Sequence, residues 1–286
     1  MPRPARHATV LTVTNLKGGV GKSHTCFQIA GVCQERGRRV LLIDCDAQGN
    51  LSGSFLADPH RQGGVEVFFN PASEPDPSVL VRKTSYDHID VIPATVALSR
   101  YDLPDRSAWE QSDLQRALAD PLAQLRPQYD LILIDSPPRL SVVSYAALCA
   151  SDFALVPLEV ADYGAQGTSQ VNAAIDEVRR RHNPRLQLLG YLVSRYKRAR
   201  AYQQTYLERL HAHFGTKVFP EPVPDLAYYE QSVCDRTPIV FHRPGSPAAD
   251  IVRRLVDQIE RRIETLTRSG QRRRRPGVSQ AGLVSV

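Results

Sequence analysis

Seven residues near the N-terminus, 17–23, read K-G-G-V-G-K-S and have the composition of a phosphate-binding loop. The glycines let the backbone curl until successive N–H groups point at phosphate oxygens, and a following helix adds N-terminal donors and partial positive charge. Lys22 is placed to reach the β- and γ-phosphates, and the Ser23 hydroxyl to ligate Mg²⁺. The generic pattern G-x-x-x-x-G-K-[ST] needs glycine at position 16, where this chain has Leu16. The loop therefore predicts nucleotide binding by a variant of the generic motif.

Two apolar runs that end in carboxylates indicate what lies beside this loop. Residues 39–44 read R-V-L-L-I-D and end at Asp44, and residues 130–135 read D-L-I-L-I-D and end at Asp135. Ligands of open α/β sheets bind outside the carboxyl ends of the strands. We therefore expect these two strand ends, and the glycine cluster after Asn15, to meet at one edge of a sheet.

The elements that must position these residues alternate between strands and helices. Apolar runs without polar alternation indicate strands covered on both faces, as in a parallel sheet with helices on either side. The sequence therefore predicts an α/β fold with a doubly wound, mostly parallel sheet. Strands are predicted over residues 10–15, 39–44, 88–93, 130–135, 153–158 and 186–193. Helices are predicted over residues 23–36, 108–125, 165–181 and 246–266.

The overall composition excludes several classes of protein. The 286 residues are 42% hydrophobic and 23% charged, which is typical of a globular protein and not of a collagen-like, coiled-coil or wholly disordered chain. No apolar run approaches the roughly 20 residues that span a bilayer, and residues 1–9 lack the apolar core of a secretory signal. The five cysteines form no C-x-x-C pair, which indicates thiols in a reducing cytoplasm instead of disulfides or a zinc site.

We expect one large domain over residues 9–266, preceded by a short N-terminal extension over residues 1–8. From residue 267 the chain loses apolar content, and this predicts a disordered basic tail over residues 267–286.

The net charge of +6 favours anionic partners without choosing among nucleic acid, acidic lipid and acidic protein. One segment carries four cations within six residues, and residues 272–275 are four consecutive arginines. Cations on nucleic-acid phosphates give salt-sensitive, sequence-independent binding, whereas a solvated loop and a solvating tail are the simpler interpretations. The first segment consists of Arg195, Lys197, Arg198 and Arg200.

Four segments, in order along the chain, resemble the motifs of the ParA/MinD family of ATPases. Residues 17–23 match its deviant Walker A motif, K-G-G-x-G-K-[ST], whose hallmark is the additional lysine, here Lys17. Residues 44–50 (D-C-D-A-Q-G-N) resemble its D-x-D-P-Q-G-N switch segment, and residues 134–138 (I-D-S-P-P) its Walker B motif, I-D-x-P-P. The stretch 223–239, from V-P to T-P-I, resembles the region that closes over adenine. The resemblance implies a P-loop NTPase fold that binds ATP and Mg²⁺.

The resemblance, which covers roughly residues 9–266, also implies roles for individual residues. Lys17 would reach the phosphates of the other subunit in a nucleotide-sandwich dimer, in the part of an arginine finger. Asp46 would orient or activate the attacking water, and Asp135 would hold Mg²⁺ through a water. The implied catalytic residues are Lys17, Lys22 and Asp46, and the implied metal ligands are Ser23, Asp135 and Asp44. The implied nucleotide contacts are Lys17, Gly18, Gly19, Val20, Gly21, Lys22, Ser23, His24, Ser194, Arg195 and Pro224.

Some positions depart from the family's pattern. His24 replaces a threonine that contacts the α-phosphate, although its backbone N–H can still donate. Ala47 replaces a proline and should loosen the switch segment. Ser194 and Arg195 stand where relatives carry Asn-Arg near the base. The sequence therefore predicts selectivity for adenine less firmly than it predicts phosphate binding. Tyr228 stands where a relative carries a DNA-contacting arginine, a contact that the basic segments would have to replace.

The function that this resemblance implies is ATP-dependent DNA partition in chromosome or plasmid segregation. ATP would drive formation of a homodimer that binds nucleoid DNA non-specifically, and hydrolysis stimulated by a ParB-type centromere-binding protein would release it. DNA contacts are expected from Arg195, Lys197, Arg198 and Arg200, in a cytoplasmic, nucleoid-associated protein without a membrane partner. Two alternatives stay open: a ParA-like positioner of another cargo, and a MinD-like membrane-surface ATPase, for which the tail lacks a periodic apolar face.

Overall fold

One sheet positions the site in the computed structural model, which describes residues 7–59, 63–73, 75–102, 113–160 and 164–274. Its strands are β1 (Thr9–Val13), β2 (Val40–Asp44), β3 (Arg82–Lys83), β4 (Ile89–Ile92), β5 (Leu131–Asp135), β6 (Phe153–Glu159) and β7 (Gln187–Ser194). They are ordered β3-β4-β2-β5-β1-β6-β7, and neighbours pair in parallel except for β3, which is antiparallel to β4. The predicted α/β fold with a mostly parallel sheet is confirmed.

Helices cover both faces of this sheet. They are α1 (Lys22–Glu35), α2 (Asn50–Phe55), α3 (Ala119–Leu125), α4 (Val142–Ala150), α5 (Gly164–Arg181), α6 (Ala201–Phe214), α7 (Ala227–Cys234), α8 (Ile239–His242) and α9 (Pro247–Arg274). The apolar residues of α1, α8 and α9 join one core cluster, and those of α3, α4 and α5 join a second. In β2, Leu42 faces the first cluster, whereas Leu41 and Ile43 face the second. The strands therefore read as unbroken apolar runs because each face needs its own apolar side chains.

β7 lies at one edge of the sheet, and residues 218–225 run alongside it. The N–H of Phe219 donates to the Tyr191 carbonyl and the N–H of Val223 to the Val193 carbonyl, both at 2.8 Å. These bonds satisfy part of an otherwise open strand edge. They also bring the residues that follow Val223 to the carboxyl end of β7, beside the nucleotide loop.

The helix predicted over residues 108–125 is broken in the structure. Residues 103–112 lie outside the described residues, and the chain then forms a 3-10 helix (Leu114–Arg116) before α3 begins at Ala119. Pro121 explains the break, because a proline ring has no N–H to donate to the carbonyl of Ala117 and clashes with it. A proline is tolerated in the first turn of α3, where that N–H has no partner in any case.

α9 continues beyond its predicted end at Leu266 to Arg274, so the first residues of the expected disordered tail are helical. The helix is supported there by the Arg268–Glu264 ion pair, at 3.6 Å and one turn apart. The Thr267 hydroxyl donates to the Ile263 carbonyl at 2.7 Å. Residues 275–286 lie outside the described residues, and disorder there stays a prediction.

Two exclusions made from composition can be compared with the structure. All five cysteines are free thiols, and Cys26, Cys33 and Cys45 are buried. Within the described ranges, none of the helices combines the length and the apolar character needed to cross a membrane.

Candidate functional site

The three strand ends with marked chemistry meet at one edge of the sheet. Asp135, the last residue of β5, is in register with Val13 of β1 on one side and with Asp44 of β2 on the other. The glycine-rich loop leaves β1 at this edge and leads into α1. The arrangement places Lys22 close enough to Asp135 and Asp46 for both carboxylates to act on its pKa.

The loop between β1 and α1 is fixed by backbone geometry and by bonds to neighbouring strands. Gly19 and Gly21 have φ angles of 77° and 82°, in the left-handed region that favours glycine. The Asn15 side chain donates to the Pro157 carbonyl at 2.6 Å and accepts from the Lys17 N–H at 3.1 Å. The Asn15 side chain thus ties the start of the loop to the backbone of β6, which is distant in sequence.

Lys22 lies inside this loop with its side chain largely buried. It is 7% exposed, and its Nζ donates to the Lys17 carbonyl at 3.3 Å. Burial lowers the pKa of Lys22, while the carboxylates of Asp135 and Asp46 act in the opposite direction. Among the described residues, this ammonium donates one long hydrogen bond, so it is suited to donate to anionic phosphate oxygens as well.

Asp135 is a fully buried carboxylate that lies beside Ser23, Lys22 and Asp44. It is 0% exposed, and neither carboxylate oxygen has a hydrogen bond of good geometry among the described residues. Burial raises the pKa of Asp135 well above its usual value, and Asp44 adds to the shift, whereas Ser23 and Lys22 oppose it. A buried carboxylate in this state is stabilised when a cation or a cation-bound water supplies the missing partner.

These residues fit a magnesium ion that is shared with a nucleotide. Mg²⁺ is usually held by one or two carboxylates together with waters and substrate phosphates. Accordingly, no group of three or more histidine, cysteine or acidic side chains in the described residues could hold a metal alone. Ser23 and Asp135 would hold the ion, which would neutralise charge on the β- and γ-phosphates.

Asp44 and Asp46 are engaged in shaping the segment that follows β2. Asp44 accepts from the Asp46 N–H at 3.1 Å and from the N–H and hydroxyl of Ser52 at 2.8 and 2.7 Å. Burial raises the pKa of Asp44 to about 6, although these hydrogen bonds oppose the rise. Asp46 is partly exposed, and one oxygen accepts from the Gln48 N–H at 3.0 Å. Asp44 thus shapes this segment through its hydrogen bonds, and Asp46 lies close enough to Lys22 to act on its pKa. The roles of Asp44 as a metal ligand and of Asp46 toward the attacking water stay predictions.

Lys17 differs from Lys22 although both belong to the same loop. Its side chain is 55% exposed, and its Nζ forms an ion pair with Glu159, at the end of β6, at 3.0 Å. The ammonium therefore lies outside the pocket that surrounds Lys22. Glu159 was not anticipated from sequence, because no motif precedes or follows it.

The residues predicted near the base meet at the end of β7. The Ser194 hydroxyl donates to the Val20 carbonyl of the loop at 2.7 Å, so it anchors the loop. Arg195 has a φ of 53°, and its Nη1 donates to the Gly19 carbonyl at 3.4 Å. Pro224 pairs with Tyr196 as an isolated parallel bridge. Ser194 and Arg195 therefore contact the nucleotide loop, Pro224 lies beside the segment that follows β7, and the base contacts of all three stay predictions.

His24 belongs to a buried polar network that the sequence analysis missed. Gln28, at the centre of this network, is 3% exposed. Its Nε2 lies 3.0 Å from His24 Nε2 and donates to the Ser232 hydroxyl at 2.9 Å. Its Oε1 accepts from the Ile239 N–H at 2.9 Å. Because Oε1 is committed to an N–H donor, the His24 Nε2 must be the acceptor, and the ring proton is assigned to Nδ1. Burial lowers the pKa of His24 to about 4, and Arg195 acts in the same direction. The i, i+4 spacing of His24 and Gln28 was the available signal.

Two departures from the motif have packing explanations. Leu16 and Ala47 are partly buried and pack against the same apolar core cluster. An apolar side chain at each position therefore joins the loop and the switch segment to the domain core.

The basic loop, residues 195–200, divides into two parts. Lys197 forms an ion pair with Asp225 at 3.0 Å, and Arg195 Nε lies 4.0 Å from the same carboxylate. Arg198 and Arg200 form no ion pair with the described residues, and Arg200 donates to the Tyr202 hydroxyl at 3.0 Å. The four cations that share one sequence segment therefore have different environments.

The other predicted DNA contacts are only partly described. Tyr228 is 44% exposed, and the Arg243 guanidinium lies 4.3 Å from its ring centroid. Arg243 therefore supplies a cation close to position 228, where the relative carries an arginine. In the arginine run 272–275, the first three residues belong to the last turn of α9, and residue 275 lies outside the described residues.

Comparisons with known proteins agree with this arrangement. A family model described as an AAA domain matches residues 8–188. The chain is 33% identical over 259 residues to the chromosome-partitioning ATPase Soj of Thermus thermophilus, covering 89% of this chain and 96% of that protein. It is 34% identical over 219 residues to the chromosome partitioning protein ParA of Caulobacter vibrioides, covering 75% and 80%. The structure resembles that of cobyrinic acid a,c-diamide synthase from Mycobacterium smegmatis with bound ATP analogue and magnesium, with a TM-score of 0.75, 28% identity and coverage of 90% and 96%.

Proposed function

Because the chain belongs to the ParA/MinD family of P-loop ATPases, we propose that it is a DNA-partition ATPase. In this proposal it binds ATP with Mg²⁺, dimerises around the nucleotide, binds DNA non-specifically and releases it after hydrolysis. The relatives named as chromosome-partitioning proteins, and the similar structure with bound ATP analogue and magnesium, support the proposal.

The observation that carries the proposal is the contrast between two lysines of one loop. Lys22 is 7% exposed and points its ammonium back at the loop, which suits the phosphates of its own nucleotide. The Lys17 side chain is 55% exposed and is held at the rim by Glu159. A cation at the rim can reach a second molecule, and arriving in trans it would stabilise transition-state charge as an arginine finger does.

Hydrolysis in this site needs charge neutralisation and a positioned water. Lys22, Ser23 and the loop N–H groups bind the phosphates and the ion held by Asp135, while the partly exposed Asp46 orients the water. Asp44 fixes Asp46 by accepting its backbone N–H at 3.1 Å. A carboxylate with only this task can be removed without loss of nucleotide binding.

DNA binding is assigned to Arg198 and Arg200 in the first place. They form no ion pair within the described ranges, and they follow β7 at the nucleotide edge, so a dimer would present two copies on one assembly. Partner stimulation by a ParB-type protein and a nucleoid-associated, cytoplasmic location belong to the same proposal and rest on the named relatives.

Dimerisation is the direct test of the role of Lys17. Light scattering with a non-hydrolysable ATP analogue should show a dimer for the wild type and a monomer for Lys17→Ala, which still binds nucleotide. Lys83→Ala is the matched control, because Lys83 is also an exposed lysine, paired with Asp90 at 2.8 Å. A wild type that stays monomeric with the analogue would remove the sandwich model.

Hydrolysis tests Asp46. Asp46→Ala should bind ATP with wild-type affinity, hydrolyse it at least about 100-fold more slowly, and accumulate as the ATP dimer. Phosphate release and light scattering on one preparation measure both properties. Hydrolysis at the wild-type rate would show that another residue positions the water.

DNA binding has two competing sources, and each can be removed separately. Changing Arg198 and Arg200 together to Glu should reduce ATP-dependent binding to random duplexes and leave ATP binding intact. Deletion of residues 271–286 tests the tail. If only the deletion abolishes binding, the tail carries the DNA contact. If the wild type with ATP has no affinity for DNA, the function is the positioning of another cargo.

A further inference from the structure

Asp225 is the residue on which the basic loop and the nucleotide loop converge. Its side chain is 18% exposed; its Oδ2 pairs with Lys197 Nζ at 3.0 Å and its Oδ1 lies 4.0 Å from Arg195 Nε. Its backbone N–H donates to the Tyr196 carbonyl at 3.0 Å, so the carboxylate is held between the two cations. Asp225 lies within the stretch 223–239 that resembles the region closing over adenine, but that resemblance gives it no role.

The contacts of Arg195 extend this arrangement to the phosphates. Arg195 also donates to the Gly19 carbonyl of the nucleotide loop at 3.4 Å, and its φ of 53° is uncommon for a residue with a side chain. Such strain persists where the surroundings hold it, as at ligand clamps and switches. Arg195 therefore lies between two anions, the fixed carboxylate of Asp225 and the phosphates that the loop would bind.

We propose that Asp225 is a positioning residue that couples nucleotide occupancy to the basic loop. Without nucleotide, Asp225 neutralises Arg195 and Lys197 and withholds them from DNA. Bound phosphates attract Arg195 away from Asp225, and the loosened basic loop then offers its cations to the DNA backbone. The part of this inference that concerns DNA binding rests on the proposed function. The part that concerns nucleotide affinity rests on nucleotide binding alone.

Three variants separate the role of Asp225 from simple charge and from folding. Asp225→Asn removes the carboxylate, and Asp225→Glu restores it. Glu221→Gln removes one negative charge from the same segment, where Glu221 pairs with Arg254 at 2.7 Å instead of with the basic loop. Thermal unfolding of the full-length proteins shows which variants are folded before binding is measured.

The first measurement is DNA binding without nucleotide, as a function of salt. Asp225→Asn should bind random duplexes more tightly than the wild type, with a log–log salt slope steeper by up to about 1.8 per protomer, because two cations become available at about 0.9 each. Asp225→Glu should retain the wild-type slope, and Glu221→Gln should steepen it by no more than about 0.9, because it frees only Arg254. An unchanged slope for Asp225→Asn, when the wild type does bind DNA with ATP, overturns the inference.

The second measurement is the affinity for a fluorescent ATP analogue without DNA. Asp225→Asn should bind it more tightly by a factor of about two to five, which corresponds to a partly exposed ion pair that no longer competes for Arg195. Lys197→Gln should bind the analogue more weakly than the wild type, since Asp225 then pairs with Arg195 alone. This variant tests the coupling if Asp225→Asn does not fold. Wild-type nucleotide affinity in both variants overturns the coupling. If wild-type protein with ATP never binds DNA, the proposed function fails while this measurement still decides the role of Asp225.

Discussion

Two regions at the same edge of the sheet use charge in opposite ways. In the phosphate edge, formed by Lys22, Asp44 and Asp135, the side chains are between 0% and 7% exposed. In the basic loop, the Arg195 and Lys197 side chains are 48% and 44% exposed. Buried charges with incomplete partners raise the free energy of the ligand-free protein, whereas exposed ion pairs contribute little either way.

The difference indicates how each region would recognise the ligand proposed for it. The phosphate edge is prepared for one ligand, because the missing partners of Lys22 and Asp135 are an anion and a cation at defined places. Non-specific DNA binding needs no such placement, since any phosphate can meet any exposed cation. Substitutions should therefore act strongly and differently at the phosphate edge, and weakly and additively in the basic loop.

The largest expected effect is loss of nucleotide binding in Lys22→Ala. Hydrogen bonds to charged groups contribute about 1.5–3 kcal/mol each, so affinity for an ATP analogue should fall at least roughly 10- to 100-fold. Fluorescence titration measures this change. Lys197→Ala is the comparison from the exposed region, and equal losses of affinity in the two variants would contradict the expected difference between the phosphate edge and the basic loop.

Asp135→Asn should stabilise the nucleotide-free protein while it abolishes the Mg²⁺ dependence of ATP binding. The substitution removes a buried carboxylate beside Asp44, and the free energy of unfolding in urea at pH 7 should rise by about 1–3 kcal/mol. Asp152→Asn is the opposite case, because Asp152 is paired with Arg126 at 3.0 Å and accepts from the Val10 N–H, so that variant should lose stability. Destabilisation by Asp135→Asn would show that Ser23 and Lys22 stabilise the Asp135 carboxylate by more than its burial costs.

The free energies of unfolding of the wild type and of Asp135→Asn should depend differently on pH. The folded-state pKa of Asp135 is raised, so its contribution to stability is present below its usual value of 3.8 and is lost as the pH rises through the raised value. Asp44 behaves in the same way, with a folded pKa of about 6. The stability advantage of Asp135→Asn over the wild type should therefore grow from pH 4.5 to pH 7.5 in urea unfolding curves. An advantage independent of pH would contradict a carboxylate origin.

The smallest expected effect is on the stability of the Arg198→Glu, Arg200→Glu double variant. Exposed substitutions without ion pairs usually change the free energy of unfolding by less than about 0.5 kcal/mol. Its unfolding curve should overlay that of the wild type, although its DNA binding is reduced. A large loss of stability would show that the basic loop supports the fold, and the comparison between the two regions would lose its basis.

Much of the fold followed from local pattern. The strand ending at Asp44 and the strand ending at Asp135 were predicted within a residue of their bounds, because parallel strands buried on both faces are unbroken apolar runs. The helix predicted over residues 108–125 is wrong, because Pro121 is tolerated in the first turn of a helix that begins at Ala119 but not within a longer one. The end of α9 was missed because composition indicated a tail where ion pairing and helix-forming residues continue the helix to Arg274.

The sequence by itself determined which residues could bind phosphate and at which strand ends they lie. Glycines, lysine and serine at fixed spacing carry that information locally, and a strand that ends in aspartate fixes where the carboxylate emerges. Only the tertiary structure decided the environment of each group. Lys22 is buried, Lys17 pairs with Glu159, Asp135 is buried beside Asp44, and Asp225 lies between two cations. Those environments depend on contacts between segments far apart in the chain, such as Lys17 with Glu159. Burial and ion pairing shift the pKa of a side chain away from the usual value for its residue type, and neither can be read from the sequence.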